Sequence, residues 1–385
     1  MKVPPLTVSF DEDCSDPFRI VVDFKFGSGL TKKVYFETED TPLHRSGNVL
    51  FCLGLLPAIE LGADLIITRP VDPQLLGNAD KIQSQIISWN PNCKAVSIHA
   101  ETAREDYPPD RGRGLFFSGG IDSSYSLATE IDQLDTLVTI IGANGAKPQS
   151  ASSNRLRNIA NAVSAHCALD SIIVETNIRE VSDRLIGWSE YHGALLAGVR
   201  HMLAHQIEEQ LIAASGDETS FSRPWGSHPL LDPLFATQDA RTVHHGLIAR
   251  AAKFERLLGE AVVMQNLQVC DGSEVGSCGI CNKCTFVLYA LDIFQAFDAS
   301  PTFRRQDLGK GKITISGPSS LSDWISLQGA AVKKNRQQQM VTAVDKAAFR
   351  HRVKWYAWNT LHIYTMLKVF KRFKRQRRYL AASRS

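Results

Sequence analysis

Residues 118–123, which read Ser-Gly-Gly-Ile-Asp-Ser, combine the residue types that bind phosphate groups. Two adjacent glycines let the backbone approach an anion closely and adopt dihedral angles that a Cβ atom disfavours. The helix-like stretch that begins at Ser124 would point its free N–H groups into the same turn. Ser118 and Ser123 could donate hydroxyl hydrogen bonds, whereas Asp122 would repel phosphate unless Mg²⁺ or a substrate donor lay between them. The pattern predicts a phosphate site, and the alternative is an ordinary Gly-Gly turn capped by serine and aspartate.

A second group of reactive residues lies in residues 270–284, where four cysteines follow the spacing C-x7-C-x2-C-x2-C. Four thiolates complete a tetrahedral zinc shell without an open position for water, so such a site is structural rather than catalytic. The predicted zinc ligands are Cys270, Cys278, Cys281 and Cys284. The other four of the eight cysteines are scattered, and this crowding favours a metal over disulfides in a reducing compartment. A redox pair, an iron–sulfur cluster and unrelated buried thiols are the alternatives.

Strand-like and helix-like segments alternate around the glycine turn. Apolar runs at 115–117, 136–141, 171–175 and 210–214 indicate strands, and residues 154–168 and 192–206 indicate helices. This order predicts an α/β fold with a doubly wound parallel sheet. Ligands bind beyond the carboxyl ends of the strands in such sheets, so four polar loops should converge there. These loops are residues 118–123, 142–147, 176–179 and 215–220.

Four polar side chains, three in these loops and one at the start of a predicted helix, are candidates for ligand contact. Asn177 and Arg179 follow a strand, where they could bind a nucleotide or clamp a carboxylate. A solvated arginine on a loop is the alternative for Arg179. Lys147 is a candidate contact for a phosphate or a carboxylate, and His192 is either a ligand contact or a packing histidine, with packing favoured.

Residues 222–233 form a long non-periodic segment with three prolines. A loop of that length which carries an aromatic ring, an imidazole and a carboxylate is more often a binding lid than a plain connection. We therefore expect Trp225, His228 and Asp232 to contact the substrate.

The glycine turn resembles the pyrophosphate loop, SGGxDS, of the ATP pyrophosphatases, which cleave ATP between its α and β phosphates. It is not a Walker loop, because no Gly-Lys-Ser/Thr follows it. The resemblance implies an ATP site, with Mg²⁺ to neutralise charge. It assigns the contacts with the ATP phosphates to Ser118, Gly119, Gly120, Ile121, Asp122 and Ser123.

Together, the pyrophosphate loop and the four-cysteine segment resemble the 7-cyano-7-deazaguanine synthases, in which the same cysteine arrangement holds zinc. The resemblance covers about residues 113–297, nearly half of the chain, and implies a HUP-like ATP pyrophosphatase domain. More than a hundred residues precede the loop, whereas the synthases begin near it. The synthases' substrate stretch, Asp-Tyr-Ser-Gly-Tyr-Pro-Asp-Cys, is replaced by the loop from Trp225 to Asp232. ATP chemistry is therefore better supported than a deazaguanine substrate.

The resemblance implies a ligase that adenylates a carboxylate or carbonyl oxygen, releases pyrophosphate, and lets a nitrogen nucleophile displace AMP. Ser118, Asp122 and Ser123 would stabilise the leaving pyrophosphate or orient Mg²⁺. One alternative is a transfer-RNA thiolase or related RNA-modifying enzyme, although no cysteine near the loop offers a sulfur carrier. The other is a nucleotide-sensing module without catalysis.

The sequence predicts two further regions. Residues 1–106 read as an accessory α/β or α+β domain, which contains a hairpin of strands 19–26 and 32–36, helices 48–61 and 73–89, and strands 64–67 and 94–98. Residues 298–385 read as a helical extension with a short strand at 310–317 and helices at 321–330 and 337–350. An aromatic stretch at 354–370 then leads into six basic residues within 371–378.

That basic end has several interpretations. It could bind RNA phosphates, an anionic membrane or an acidic partner protein, or it could be a docked helix with a solvated basic tail. The net charge of +3 is too small to imply nucleic acid by itself. With 44% hydrophobic and 22% charged residues, and without an apolar signal or spanning segment, we expect a cytoplasmic, folded protein, and a homo-oligomer is compatible with the sequence.

Overall fold

The computed structural model describes residues 3–27, 29–222, 224–270, 276–360 and 363–382. Within these residues ten β-strands form one sheet. The strands are β1 Leu6–Phe10, β2 Arg19–Phe26, β3 Thr31–Glu37, β4 Leu65–Ile67, β5 Ile98–His99, β6 Gly112–Phe116, β7 Thr136–Ile141, β8 Asp170–Thr176, β9 Ile207–Ala213 and β10 Arg241–His245. The helices are α1 Gly47–Leu61, α2 Pro73–Trp89, α3 Ile121–Glu130, α4 Ala151–Cys167, α5 Ile178–Leu185, α6 Trp188–Met202, α7 Arg250–Leu257, α8 Ala261–Gln265, α9 Asn282–Ile293, α10 Pro318–Lys333, α11 Gln338–Thr360 and α12 Ile363–Ala382.

The strand order is β10-β9-β6-β7-β8-β3-β2-β1-β4-β5. The first five of these strands pair in parallel, with β6 between β9 and β7. Since the chain leaves β6 toward β7 on one side and later returns to β9 on the other, the strand order reverses at β6. Ligands bind at such a reversal in open α/β sheets, and the glycine turn follows β6 directly. The predicted α/β class with a mostly parallel sheet is confirmed.

The strands of the N-terminal region continue the same sheet. β2 and β3 form the predicted antiparallel hairpin, and β3 pairs antiparallel with β8 through Phe36 opposite Thr176 and Glu37 opposite Glu175. On the far side, β1 pairs in parallel with β4, and β4 with β5. Residues 1–106 and 113–297 therefore share a sheet, and the domain boundaries at these positions remain a prediction.

Helices cover both faces of the sheet. Neighbouring strand residues enter opposite hydrophobic cores: Leu115 and Leu137 lie in one core, and Phe116 and Val138 in the other. The core with Phe116 is covered by helices that include α1 and α6, and the other core by helices that include α3, α7 and α9. Every residue of α1 is buried, which explains why its sequence is apolar on all sides.

One predicted strand overlaps the observed strand β5 only at its last residue, and another is absent. In residues 94–98 only Ile98 pairs, because the amides of Val96 and Ser97 donate to the side chains of Gln83 and Asp64 at 2.7 and 3.2 Å. Residues 310–317 contain no strand, and the Thr314 amide donates to the side chain of Asn282 at 3.2 Å. In both segments side chains provide acceptors that a neighbouring strand would otherwise supply.

The last three helices return to the body of the protein. α10 packs against α7, α9 and α11, while α12 crosses to α1 in the N-terminal region. Of the helices in the described part of the chain, none combines the length and the hydrophobicity that crossing a lipid bilayer requires.

Candidate functional site

A cleft of about 820 Å³ opens at the carboxyl ends of the parallel strands. Each of the four loops predicted to converge contributes to its wall, through Ser118, Asn144, Arg179 and Ser215, so the predicted convergence is confirmed. The predicted site residues that line the cleft are Ser118, Gly120, Ile121, Asp122, Arg179, Trp225, His228 and Cys270.

The glycine turn lies at the start of α3. Gly119 has a φ of 69°, in the left-handed region that favours glycine, and a Cβ there would lie 3.3 Å from Cγ2 of Ile159. Ser123 holds the turn, since its hydroxyl accepts from the Ser118 amide at 3.2 Å and donates to the Gly120 carbonyl at 3.3 Å. Within the described chain no side chain caps α3, whose N-cap is Gly120. The first amides of α3 therefore face the cleft as potential donors to an anion.

The carboxylate of Asp122 is held by two cations from α7. Arg250 Nη2 lies 2.9 Å from Asp122 Oδ2, and Lys253 Nζ lies 3.1 Å from Oδ1. Burial raises the pKa of Asp122, but Arg250 and Lys253 more than offset this effect and lower it to about 2. Asp122 is thus a carboxylate whose charge is already compensated by protein groups.

Sequence reasoning missed these two cations. Arg250 lines the cleft and also pairs with Asp323 of α10 at 3.2 Å, whereas the Lys253 side chain is only 1% exposed. The available signal was their spacing. Arg250 and Lys253 stand at i and i+3 in the first turn of a helix that follows a strand, so they share one face of that helix. At that position the face points to the carboxyl edge of the sheet, where ligands bind.

Arg179 and Asn177 have different roles in the structure. Arg179 lines the cleft, where its guanidinium stacks over Trp188 at 4.4 Å and pairs with Asp183 at 2.8 Å. This arginine is therefore held in place rather than solvated. The Asn177 side chain instead accepts from the amide of Tyr35 at 3.0 Å, so it joins the N-terminal hairpin to the loop after β8 and is not part of the cleft wall.

Lys147 and His192 lie outside the cleft wall. Lys147 is exposed, and its carbonyl accepts from the amide of Ser150 at 2.9 Å near the start of α4. His192 packs against Trp188 and Trp225, with ring centroids 5.6 and 5.4 Å away. Burial lowers the pKa of His192, which agrees with the favoured interpretation as a packing histidine.

The loop from Trp225 to Asp232 is fixed by its own carboxylate. Asp232 is 3% exposed and accepts from the Ser227 hydroxyl at 2.8 Å and from the His228 amide at 3.0 Å. Asp232 therefore fixes the loop from its buried side, while Trp225 and His228 line the cleft. His228 donates from Nε2 to the carbonyl of Ser220 at 3.1 Å, and burial lowers its pKa. Arg223, in the same loop, lies outside the described residues.

A further histidine at the cleft was not predicted. His244 lies near the carboxyl end of β10, with Nδ1 2.8 Å from Oδ2 of the buried Asp232. Its ring lines the cleft. Within the described chain Nε2 has no hydrogen-bond partner, and this atom is not buried. Nε2 is therefore the ring nitrogen that can meet a ligand. A histidine at the end of a parallel strand was the available signal.

The four predicted zinc ligands form one cluster. Their sulfur atoms all lie within 4.8 Å of one another, and the sulfur of Cys284 is 3.4 Å from that of Cys270 and 3.8 Å from that of Cys278. A tetrahedral site with Zn–S bonds of about 2.3 Å places its sulfurs about 3.8 Å apart, so the donor set fits zinc. The amides of Cys281 and Cys284 donate to the sulfurs of Cys278 and Cys281 at 3.3 and 3.4 Å, which favours thiolates. Residues 271–275 lie outside the described residues.

The cysteine cluster and the cleft are adjacent. Gln268 lies two residues before Cys270, and its backbone amide donates a hydrogen bond to the carbonyl of Gly119 at 2.9 Å. Asn282 and Lys283, which follow Cys281, line the cleft on the other side of the cluster. A metal bound there would fix two wall segments at once, including the support of the glycine turn.

Comparison of the chain with protein-family models, with curated proteins and with solved structures finds no significant match. The resemblance of the glycine turn and of the cysteine segment thus remains a prediction from the motifs.

Proposed function

We propose that this chain is an ATP-dependent ligase of the ATP pyrophosphatase type, with a HUP-like fold around β6. It adenylates a carboxylate or carbonyl oxygen of its substrate, and a nitrogen nucleophile then displaces AMP. The observation that carries the proposal is the glycine turn at the uncapped start of α3, at the strand-order reversal and on the wall of a cleft of about 820 Å³. A cleft of this volume can hold a nucleotide together with a second small molecule.

In the first step the substrate oxygen attacks the α-phosphorus of ATP, and pyrophosphate leaves with the electron pair of the broken P–O bond. The amides at the start of α3 and the hydroxyl of Ser118 would receive the negative charge of the pyrophosphate. Arg250 and Lys283 line the same cleft and would add positive charge. Asp122 would fix Arg250 in place, and Mg²⁺ would have to share its carboxylate with Arg250 and Lys253.

In the second step the nitrogen lone pair attacks the activated carbon, and AMP leaves with the electrons of the C–O bond. The nucleophile must lose a proton, and Nε2 of His244 is a base on the cleft wall that has no hydrogen-bond partner among the described residues. Asp232 would hold the ring in the tautomer that has Nε2 free and would stabilise the imidazolium that forms. Zinc held by the four cysteines would supply no chemistry in either step, because four thiolates leave no open position.

Sulfur transfer is less well supported than nitrogen transfer. Of the described residues that line the cleft, the only cysteine is Cys270, and it belongs to the four-cysteine cluster. A thiolase-type enzyme would therefore need a sulfur carrier from another molecule.

The test is release of AMP and pyrophosphate from labelled ATP, with and without 7-carboxy-7-deazaguanine and ammonium. Arg250→Ala and Asp122→Ala should abolish release, whereas Arg256→Ala, on the same helix and 47% exposed on its side chain, should leave it unchanged. Release that depends on the deazaguanine identifies the substrate class, and substrate-independent release keeps the chemistry while excluding that assignment. ATP binding without any AMP would overturn the ligase in favour of a nucleotide sensor.

A further inference from the structure

Helices α11 and α12 expose apolar ridges on their outer faces. On α11 the ridge consists of Phe349, Val353 and Tyr356, which are 68, 52 and 69% exposed. On α12 it consists of Met366, Phe370 and Phe373, which are 67, 66 and 56% exposed. Both sets follow the spacing i, i+4, i+7, which places their members on one side of a helix. We call these two ridges the C-terminal apolar surface.

The clustering of these side chains is unusual within this protein. Of the sixteen large apolar side chains that are exposed among the described residues, nine lie between Phe349 and Phe373. The other seven are spread over residues 30–332. Single exposed apolar residues need no explanation, but a cluster of them marks an interaction surface.

The opposite face of α12 is already occupied. Arg372 donates to the carbonyls of Glu60 and Ile59 at 2.9 and 3.2 Å, at the C-terminus of α1. Arg375 pairs with the Glu60 carboxylate at 2.8 Å, and the Tyr379 hydroxyl donates to Pro4 at 2.9 Å. The inner face of α12 is therefore held largely by polar contacts, whereas its outer face exposes apolar side chains beside cations, unlike an ordinary surface helix, which buries its apolar side chains. A helix fixed in that orientation needs a partner for its outer face.

The charge around this surface selects the partner. Residues 346–382 contain eleven lysines and arginines and no aspartate or glutamate. Lys371, Lys374 and Arg377 flank the ridge of α12, and Arg377 lies 5.7 Å from the ring of Phe373. Such a surface attracts a polyanion and disfavours a second copy of itself, because like charges would face each other.

We propose that the C-terminal apolar surface binds the surface of an anionic lipid bilayer. The two ridges enter the boundary between head groups and acyl chains, and the lysines and arginines beside them contact lipid phosphates. Val353 and Met366 favour a bilayer over RNA. Aliphatic side chains cannot stack on bases, and contact with a phosphate backbone would leave them exposed to water. The two helices would lie on the bilayer surface. Because α12 is bonded to α1, this contact would hold the rest of the protein, including the cleft, at the membrane.

The proposal is tested by co-sedimentation of the full chain with two kinds of vesicles. One kind contains only phosphatidylcholine, and the other an equimolar mixture of phosphatidylcholine and phosphatidylglycerol. Wild-type protein should sediment with the mixed vesicles only, and added salt should weaken the binding. The double variant Phe370→Glu/Phe373→Glu should bind at least about tenfold more weakly, because two charges would have to enter the interface.

The matched control is Ile325→Glu/Val332→Glu on α10, where the wild-type side chains are 45 and 60% exposed. This control should bind like the wild type, and circular dichroism should show that both double variants fold. Equal binding to both vesicle types, or unchanged binding of the Phe370/Phe373 variant, would overturn the proposal. The proposal would also be overturned if the protein bound a fluorescent single-stranded RNA and not the vesicles. It would be overturned as well if the protein formed a dimer that the Phe370/Phe373 variant disrupts and did not bind the vesicles. The AMP assay is independent of these measurements, so failure of either proposal leaves the other in place.

Discussion

The backbone amide of Gln268 donates a 2.9 Å hydrogen bond to the carbonyl of Gly119 and thereby joins the four-cysteine segment to the glycine turn. Cys270 lies two residues beyond Gln268 and is 8% exposed. The position of the cysteine cluster and the shape of the glycine turn are therefore coupled through one short stretch of backbone.

Loss of the metal should consequently weaken ATP binding. Cys284→Ser removes one of four sulfur donors, and structural zinc contributes about 10–16 kcal/mol in zinc-finger peptides, so we expect loss of zinc and a large fall in Tm. We also expect weaker ATP binding at temperatures where the variant is still folded. Zinc content, Tm and calorimetric Kd for ATP measure these effects. Cys167→Ser, which is outside the cluster, is the control, and unchanged ATP affinity in zinc-free Cys284→Ser would refute the coupling.

The two glycines of the turn should respond differently to alanine. At Gly119 the left-handed φ costs about 1–2 kcal/mol for a residue with a Cβ, and contact with Ile159 adds to that cost. At Gly120 φ is −85° and the nearest atom to an added methyl carbon would be Ser118 Oγ at 3.5 Å, so stability should change by less than about 0.5 kcal/mol. Both variants should bind ATP more weakly.

Urea unfolding and ATP titration separate the two effects. If Gly120→Ala keeps both its stability and its ATP affinity, the methyl does not meet a ligand, and the phosphate site does not include this position. Gly77→Ala, with no atom within 4 Å of the added carbon, is a control for glycine substitution on a helix surface.

Local motifs predicted the parts of the site that are contiguous in sequence. The turn at residues 118–123 and the four cysteines need only their own spacing, and the structure brings the sulfurs together as predicted. Arg250 and Lys253 meet Asp122 from more than a hundred residues away, so their contact depends on how α7 packs beside α3. Spacing along the chain can place both cations on one face of α7, but it carries no information on the packing that brings this face to Asp122.

Polar residues in loops were predicted as ligand contacts, but some of them hold the fold together. Asn177 satisfies the Tyr35 amide, and Asp232 satisfies Ser227 and His228. Their residue types suit both roles, since a buried loop needs acceptors as much as a ligand needs donors and acceptors. The pairing of β3 with β8 was not predictable either, because sheet edges meet through long-range contacts.

The ion pairs of Asp122 should make stability depend on pH in the acid range. The folded-state pKa of Asp122 is lowered from 3.8 to about 2, so its stabilisation is fully present above pH 3.8 and is lost as pH falls toward 2. The contribution is about 2 kcal/mol. The difference in unfolding free energy between wild type and Asp122→Asn should therefore shrink as pH falls from 3.8 to about 2. Urea unfolding at a series of pH values measures it, with Asp13→Asn as an exposed control, and a difference that is constant with pH would contradict the ion pairs.

The pair of His244 and Asp232 should act on the second chemical step alone. Adenylation needs no base on the nucleophile, so His244→Asn should keep ATP–pyrophosphate exchange within about twofold, while ammonium-dependent product formation falls about 10²–10⁴-fold. Hydroxylamine is a strong nucleophile that is uncharged at neutral pH, so it should restore turnover in this variant because it needs less help from a base. His245→Asn is the matched control on the same strand, since its ring is held by Ser126 and Glu130 at 2.9 and 3.2 Å. If exchange and product formation fall together in His244→Asn, the ring positions ATP or the substrate instead, and the nitrogen must lose its proton to another group.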